Sequence, residues 1–371
     1  MRSCNGRGHT TSNDGLASAY DFSLPEHLIA QHPAPQRDAS RLLVLDGERC
    51  EHRIFRDLPE LLAPGDVLVL NETRVIAARL FGARAGSGGA VEVVLLHPAG
   101  STAYDPEATA WIALVRPAKR LRAGALIEFA GFGDARIARE FDHGLRELHF
   151  RLDVRFEAFL DRAGRLPLPP YIHNDSEEAQ ERYQTVFART PGSVAAPTAS
   201  LHFTPGLLRA VEDRGIEIVR IALDVGLGTF RPVNTERLGE HVMHAERYAI
   251  PESAASAILA AKKDGRRVVA AGTTVIRALE GNVERYGRLR AGEDETNIFI
   301  RPGFTFRVVD AAITNFHLPK STLLVLVSAF AGRERVLGAY RSAVEHEYRF
   351  FSFGDAMFVT AQPQDAHPVS G

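Results

Sequence analysis

The sequence predicts a mixed α/β fold, a large α/β domain interrupted by a small all-β unit, and three observations carry that prediction. Along residues 155–362 apolar strands alternate with amphipathic helices, the pattern of an α/β domain. Between 71 and 154 the texture changes to five or six short strands without a long helix, which argues for a small barrel or sandwich. Leu-Pro-Leu-Pro-Pro-Tyr-Ile at 166–172 then reads as an extended, proline-locked link back to the larger unit. The expected organisation is a disordered leader at 1–19, a discontinuous large domain at 20–70 and 155–362, the insertion at 71–154 and a tail at 363–371.

Composition narrows the function classes. At 371 residues, with 45% hydrophobic and 24% charged residues, the chain has room for two globular domains. Lysine and arginine total 44 against 46 acidic residues, so a nucleic-acid partner has to be met by a local patch and not by net charge. Cys4 and Cys50 offer neither a disulfide framework nor a thiolate metal cage, which fits a reducing cytosol. No apolar run is long enough to span a bilayer and the leader lacks a signal-like apolar core, so a cytoplasmic chain with no membrane partner is expected.

Taken in order, residues 24–30 read as a short helix and 41–46 as a strand, joined by a proline-stiffened connection that leaves Arg37, Asp38 and Ser40 beside the strand start. A helical turn at 57–62 precedes the fully apolar strand 67–70. In the insertion, strands are expected at 74–81, 91–96, 111–115, 126–129 and 136–141. Beyond them Leu148, Phe150, Leu152 and Val154 alternate with His149, Arg151 and Asp153, the period of a half-buried strand. Arg116, Lys119, Arg120 and Arg122 place four positive charges within seven residues at a strand end, enough to touch a polyanion backbone and also what a solvated hairpin tip looks like.

Helices at 156–163 and 177–187 lead to a loop of tiny residues, Thr190-Pro-Gly-Ser-Val-Ala-Ala-Pro-Thr-Ala-Ser-Leu-His-Phe203, which contains Ala195, Ala196, Pro197 and Thr198 and ends beside His202. Small side chains let backbone amides approach a ligand closely, or else pack a tight turn. A helix at 204–214 with a threonine cap precedes the strand 216–223, which opens into Asp224-Val-Gly-Leu-Gly-Thr229. A strand running into a glycine-containing turn, here with Gly226, Gly228 and Thr229, is where α/β folds bind ligands. His241 and His244 stand near Glu240 and Glu246, but two histidines at that spacing make weak evidence for a metal.

After a helix at 253–263, the strand 267–274 runs into a helix at 275–286, so Gly272, Thr273 and Thr274 fall at a helix N-terminus, where free amides favour a carboxylate or phosphate. Apolar segments at 306–313 and 323–330 flank Asn315, His317, Lys320, Ser321 and Thr322. Polar groups between two core elements are either working or capping: His317 can move a proton, Asn315 can donate and accept, Lys320 can hold an anion. The last long helix is expected at 336–348, and 349–358 reads as aromatic core apart from Asp355.

The ordered set Asp38-Ala-Ser-Arg-Leu42, Asn71-Glu-Thr-Arg-Val75, Pro191-Gly-Ser-Val-Ala-Ala-Pro-Thr198 with Leu201-His-Phe-Thr204, Gly226-Leu-Gly-Thr-Phe230, Gly272-Thr-Thr274, Thr314-Asn-Phe-His-Leu-Pro-Lys-Ser-Thr322 and Tyr348-Arg-Phe-Phe-Ser-Phe-Gly-Asp-Ala-Met357 resembles the S-adenosylmethionine:tRNA ribosyltransferase-isomerase (QueA) family of queuosine biosynthesis. The resemblance runs from about Tyr20 to Val359. It implies a large α/β domain with an inserted β-barrel. It also implies an enzyme that moves the ribosyl part of its co-substrate S-adenosylmethionine onto 7-aminomethyl-7-deazaguanine in tRNA, forming epoxyqueuosine and releasing adenine and methionine. No metal is implied, and a monomer is expected.

For that chemistry His202, His317 and His244 are the candidates for proton transfer. Ala195 to Thr198, Gly226, Gly228, Thr229, Gly272 to Thr274 and Asn315 are the candidates for gripping the donor, Lys320 and Arg277 for steadying anionic groups, and Arg116, Lys119, Arg120 and Arg122 for tracking RNA phosphates. The chain departs from the family pattern at Asp224, where histidine is expected, and at Ser200, Ala245 and Arg301. Asp224 is a further catalytic candidate, a base in place of the histidine, though a weaker one unless buried. A paralogue with a different 7-deazapurine acceptor, and an RNA-binding relative without turnover, are the competing expectations.

Overall fold

In the computed structural model the described residues are 14–101, 103–226 and 235–362. Their centre is a nine-stranded mixed sheet in the order Gly292–Thr296, Glu246–Ile250, Glu217–Leu223, Val67–Asn71, Val268–Ala271, Ala311–Asn315, Ala356–Thr360, Arg41–Asp46, Arg49–Ile54. The middle strands are apolar up to their carboxyl ends, where Asn71, Thr314 and Asn315 stand, because both faces are covered. Leu43, Leu45, Val67 and Val69 enter the core beneath helices Glu252–Lys263, Thr273–Tyr286, Thr322–Ala331 and Arg333–Glu345, while Leu42, Val44, Leu68 and Leu70 enter the core beneath Pro205–Asp213. Side chains alternate across a strand, so one apolar run supplies two cores.

The insertion is a closed six-stranded antiparallel barrel in the order Leu145–Leu152, Ala110–Arg116, Ala90–Pro98, Arg79–Arg84, Leu126–Phe129, Gly133–Glu140. Closure removes the exposed edges that so many short strands would otherwise carry. Its interior is filled by Leu80, Val93, Trp111, Ile127 and Phe150, and helix Phe156–Ala163 packs Phe156 flat on Trp111, with centroids 5.2 Å apart. The fold is thus the expected large α/β unit with an inserted barrel.

Several elements differ from expectation for identifiable reasons. The strand expected at 74–81 is split: Thr73–Val75 pairs with Thr190–Ser193, and only from Arg79 does the chain enter the barrel. The strand expected at 306–313 is Ala311–Asn315, because the amides of Val308 and Val309 donate to the Glu280 carboxylate and are lost to any ladder. The helix expected at 177–187 stops at Arg182. Residues 14–19, assigned to the leader on composition, are docked: Ala17 N–H donates to Glu236 O and Tyr20 is fully buried. Asp355, set apart from the aromatic core, is itself 2% exposed, since the amides of Arg41 and Arg349 and the Arg41 guanidinium satisfy its carboxylate. Both threonine and serine caps are in place, with Thr204 accepting from Leu207 N–H and Ser321 from Leu324 N–H.

Candidate functional site

Strands Val67–Asn71, Glu217–Leu223, Val268–Ala271 and Ala311–Asn315 are mutually parallel, so their carboxyl ends share one rim of the sheet, where open α/β sheets hold ligands. Ala356–Thr360 runs antiparallel to Ala311–Asn315 and parallel to Arg41–Asp46, which brings the beginnings of those two strands to the same rim. Chain direction alone therefore gathers Asn71, Asp224, Gly272, Asn315, Asp355 and Ser40. Asn71 joins two of these ends: its side chain donates to Leu223 O and accepts from the amides of Leu223 and Thr73. Ser193, fully buried, holds the loop of tiny residues against Val225 through Oγ contacts with Ala195 O and Val225 N–H of 2.7 and 2.9 Å.

Two clefts open at this rim with Val225 as a common wall. The first, about 660 Å³, is lined by Ala196, Pro197 and Thr198, by Gly272 to Thr274, by Thr314 to Leu318, and by Tyr171 and Phe351. Gly272 has φ 110°, a conformation open to glycine, and it starts the helix without a side-chain cap. The first amides of that helix consequently have no intrahelical acceptor. Beside them Thr274 Oγ1 is buried and unpartnered. Free amides, a helix dipole and an idle hydroxyl together suit a carboxylate.

Opposite polarity is supplied by Asn315. Its Nδ2 donates to the carbonyls of Phe351 and Ser352 at 2.8 and 3.4 Å, which fixes the amide, and its buried Oδ1 makes no well-formed hydrogen bond, with the His202 side chain as its polar neighbour. Phe351 holds a left-handed φ of 72°, which costs a residue with a side chain on the order of 1 kcal/mol. Its ring lies against Tyr171 with centroids 4.5 Å apart, and the Tyr171 hydroxyl meets Ser352 Oγ at 2.6 Å. The result is an aromatic wall in a cleft otherwise made of small residues.

His317 is the histidine that lines this cleft. Its Nε2 is 2.8 Å from Thr314 Oγ1, its N–H donates to the Tyr340 hydroxyl, and burial pulls the imidazole down to about 3. Nδ1 makes no hydrogen bond with the described residues and is the nitrogen left for proton exchange. His202 stands behind the cleft and not in its lining. It stacks on Phe55, its Nδ1 meets Ser40 Oγ at 2.7 Å, and its buried Nε2 is unpartnered with the Asn315 side chain as its polar neighbour. Burial lowers it to about 4.

The second cleft, about 1110 Å³, lies between the barrel residues Leu96, Ile112, Leu114 and Leu145 and the sheet-side residues Asp224, Gly226, His244 and Ala245. Asp224 accepts a 3.3 Å hydrogen bond from Thr73 Oγ1 and has no ion pair among the described residues. Burial raises its carboxyl to about 6. Gly192, φ 145°, lets it fit: a Cβ there would come within 3.0 Å of Asp224 Oδ1.

The other sequence candidates are distributed as follows. Lys320 points away from the first cleft to an ion pair with Asp21 at 2.8 Å, and Arg277 is buried against Glu246. Ala195 lies behind the cleft in a bridge with Val225, and Ser200 is buried with an idle Oγ. Arg301 is exposed above Phe299. Gly228 and Thr229 lie outside the described residues. Arg116, Lys119, Arg120 and Arg122 sit on an exposed barrel turn, with Arg116 near Glu92 and Arg122 near Glu140. The turn is held from below by Arg146, whose guanidinium donates to the carbonyls of Ala118 and Leu121. No three His, Cys, Asp or Glu side chains gather as a metal site among the described residues, and no described helix is long and apolar enough to cross a membrane.

Tyr171, Phe351, Thr314 and Ser193 were not singled out from the sequence. Tyr171 belongs to the stretch read as a proline link, and a left-handed phenylalanine has no local signal. Thr314, adjacent to Asn315 in the motif, partners His317 through its Oγ1.

Residues 17–359 match the family described as queuosine biosynthesis protein. A relative from Moorella thermoacetica is 54% identical over 344 residues, covering 92% of this chain and 98% of its own length, and one from Pelotomaculum thermopropionicum is 50% identical over 345 residues, covering 92% and 99%. Both are named S-adenosylmethionine:tRNA ribosyltransferase-isomerase. A crystal structure described as S-adenosylmethionine tRNA ribosyltransferase from Thermotoga maritima is 35% identical, covers 92% of this chain and 99% of its own, and superposes with a TM-score of 0.51. The matches take in the sheet, the inserted barrel and both clefts, and on that ground the chain belongs to the queuosine biosynthesis protein family.

Proposed function

We propose that this protein transfers and isomerises the ribosyl group of S-adenosylmethionine onto 7-aminomethyl-7-deazaguanine in tRNA, giving epoxyqueuosine, adenine and methionine. The observation that carries this reading is the first cleft, which combines an uncapped helix N-terminus, two idle buried polar atoms and an aromatic wall in one space. The donor offers a matching set: a carboxylate for Thr273 and Thr274, polar N–H groups for Asn315 Oδ1, and a flat adenine for Tyr171 and Phe351. Relatives near 50% identity over almost the whole chain carry the corresponding name.

The reaction asks for a base at a sulfonium-acidified C5′ proton, an acid at the departing adenine and a site that keeps the aminomethyl nitrogen close to the ribosyl carbon. His317 lines the cleft with Nδ1 unpaired among the described residues, so it is the group assigned to the proton; burial keeps it neutral but a weak base in the free protein, and it relies on the acidity that the sulfonium gives the proton it takes. His202 acts from behind, steadying Asn315. The basic barrel turn follows RNA phosphates, which fixes register without reading sequence. Soluble, cytoplasmic action as a monomer with these two substrates and no resident metal completes the proposal.

The test is adenine release from S-adenosylmethionine mixed with tRNA carrying the aminomethyl base. Release that depends on this tRNA supports the reading. Release only with another 7-deazapurine acceptor identifies a paralogue, and tight tRNA binding without release identifies a non-catalytic relative.

A further inference from the structure

The donor cleft accounts for one substrate and leaves the second cleft without a role. That cleft is set apart by its position, its size and its charge. It runs between the barrel wall and the edge of the sheet, and shares Val225 with the donor cleft. On its other side Leu114 also lines a third cleft that reaches Arg116, the first of the basic turn residues. Three clefts thus follow one another along the barrel, joined at Leu114 and Val225, from Arg116 past Asp224 to the donor cleft. With about 330 Å³ of enclosed space the second cleft is large enough for a nucleobase. Enzymes that act on a base draw it out of its stack into such a pocket.

Its charged lining is largely spoken for. Glu246 is bound to Arg277, and Arg247 to Glu293. Asp224 is different: a mostly buried carboxylate with one hydroxyl donor and a glycine opposite that leaves it room, it feels the Arg247 guanidinium only at a distance, because Arg247 is ion-paired to Glu293, and it has no ion pair of its own among the described residues. Burying a carboxylate without a cation is costly unless a partner arrives. Arg247, already held by Glu293, leaves Asp224 with room for a closer cation.

We propose that the second cleft is the site of the acceptor base, and that the Asp224 carboxylate binds the primary ammonium of an aminomethylated deazapurine presented by the tRNA. This rests on the function proposed above. The geometry divides labour across Val225, with the neutral donor cleft on one side and an ammonium-binding cleft on the other. A carboxylate at position 224 selects a charged amine over a neutral substituent.

The experiment uses the full chain and two anticodon stem-loop RNAs, one with 7-aminomethyl-7-deazaguanine and one with the neutral 7-cyano analogue. RNA affinity is read by fluorescence anisotropy, S-adenosylmethionine affinity by calorimetry, and turnover by adenine release. The native protein is expected to prefer the amine RNA by roughly tenfold or more, the worth of one charge-assisted contact. Asp224→Asn should abolish that preference by weakening the amine RNA alone, with S-adenosylmethionine affinity unchanged as the control for an intact fold. Asp224→Glu should keep part of it. A preference that survives in Asp224→Asn overturns the inference while leaving the proposed function standing, provided the native protein releases adenine. A loss of S-adenosylmethionine affinity in Asp224→Asn moves the residue to the donor site and also overturns it. No preference and no adenine release in the native protein overturns both.

Discussion

The two clefts on either side of Val225 are built from opposite materials. The first cleft is assembled from neutral dipoles on secondary-structure ends, and His317 in its lining and His202 behind it are held uncharged by burial. The second cleft is bounded by two separate cores and holds a carboxylate that burial pushes toward the neutral form. Both store unfavourable electrostatics, but of opposite sign with respect to pH. In the reading proposed above, one meets a ligand whose charges are distributed and the other a single positive group.

The largest effect that can break this division concerns His317. Replacing it by glutamine leaves an amide near Nε2, where Thr314 is the partner, and removes Nδ1. Single-turnover adenine release should slow by about 10²-fold to 10⁴-fold, the usual worth of a positioned general base, with the KM values for both substrates within a few-fold of native. A slowing of less than about tenfold takes the proton-transfer role away from His317. His202→Gln, by contrast, should act on S-adenosylmethionine affinity more than on the chemical step, because His202 reaches the ligand only through Asn315.

Stability against pH separates the clefts next. His202 and His317 titrate in the folded state at about 4 and 3, below their ordinary 6.5, so the unfolded chain binds more protons in this range. Their neutral burial therefore supports stability fully above about 6.5 and that support is lost as pH falls toward 4. Asp224 titrates at about 6 against an ordinary 3.8, so here the folded state binds the extra proton and stability declines as pH rises through the same window. Asp224→Asn should stabilise the free protein at pH 7.5 by up to ~3 kcal/mol and steepen the loss below pH 6, whereas His317→Gln should flatten it. Urea midpoints between pH 4 and 7.5 read both slopes. An Asp224→Asn protein that is less stable at pH 7.5 would show that Arg247 outweighs the burial of the carboxylate.

A third effect, near 1 kcal/mol, tests the idle hydroxyl. Thr274→Val keeps shape and removes Oγ1, which has no partner in the free protein. S-adenosylmethionine should bind about five- to tenfold more weakly while thermal stability holds or rises, since an unsatisfied buried group is removed. A drop in stability with unchanged affinity would mean that the hydroxyl is structural.

How much of this was readable beforehand depends on where the cause lies. The barrel strands, the apolar middle strands and the Thr204 and Ser321 caps follow from periodicity and local chemistry, and the sequence carries both. Gly272, Thr273 and Thr274 were legible because a strand running into a helix fixes what stands between them. His202 and His317 looked alike in the sequence, each a histidine after a small polar run. Only the packing of Phe55 on His202 and the line of Asn315 between them put one behind the cleft and one inside it. Phe351 was read as core on hydrophobicity, but its backbone conformation is imposed by Asn315 and Phe316, through Nδ2 on its carbonyl and a carbonyl on its amide. Long-range hydrogen bonds of that kind leave no trace in spacing.

The smallest expected effect lies farthest from the chemistry, at the barrel turn. Arg116 and Arg122 are each near a glutamate, so much of their charge is already answered, while Lys119 and Arg120 make no ion pair among the described residues. If the turn follows phosphates, Lys119→Ala with Arg120→Ala should weaken tRNA several-fold at low salt and reduce the slope of log affinity against log salt by about 1 to 2. Both the amine and the nitrile stem-loop should be affected equally, because a phosphate contact does not sense the base. That equality distinguishes the turn from Asp224, whose loss should touch one RNA alone. A double variant that discriminates between the two RNAs would mean that the turn reaches the base itself, and the line of clefts along the barrel would then have to be read the other way.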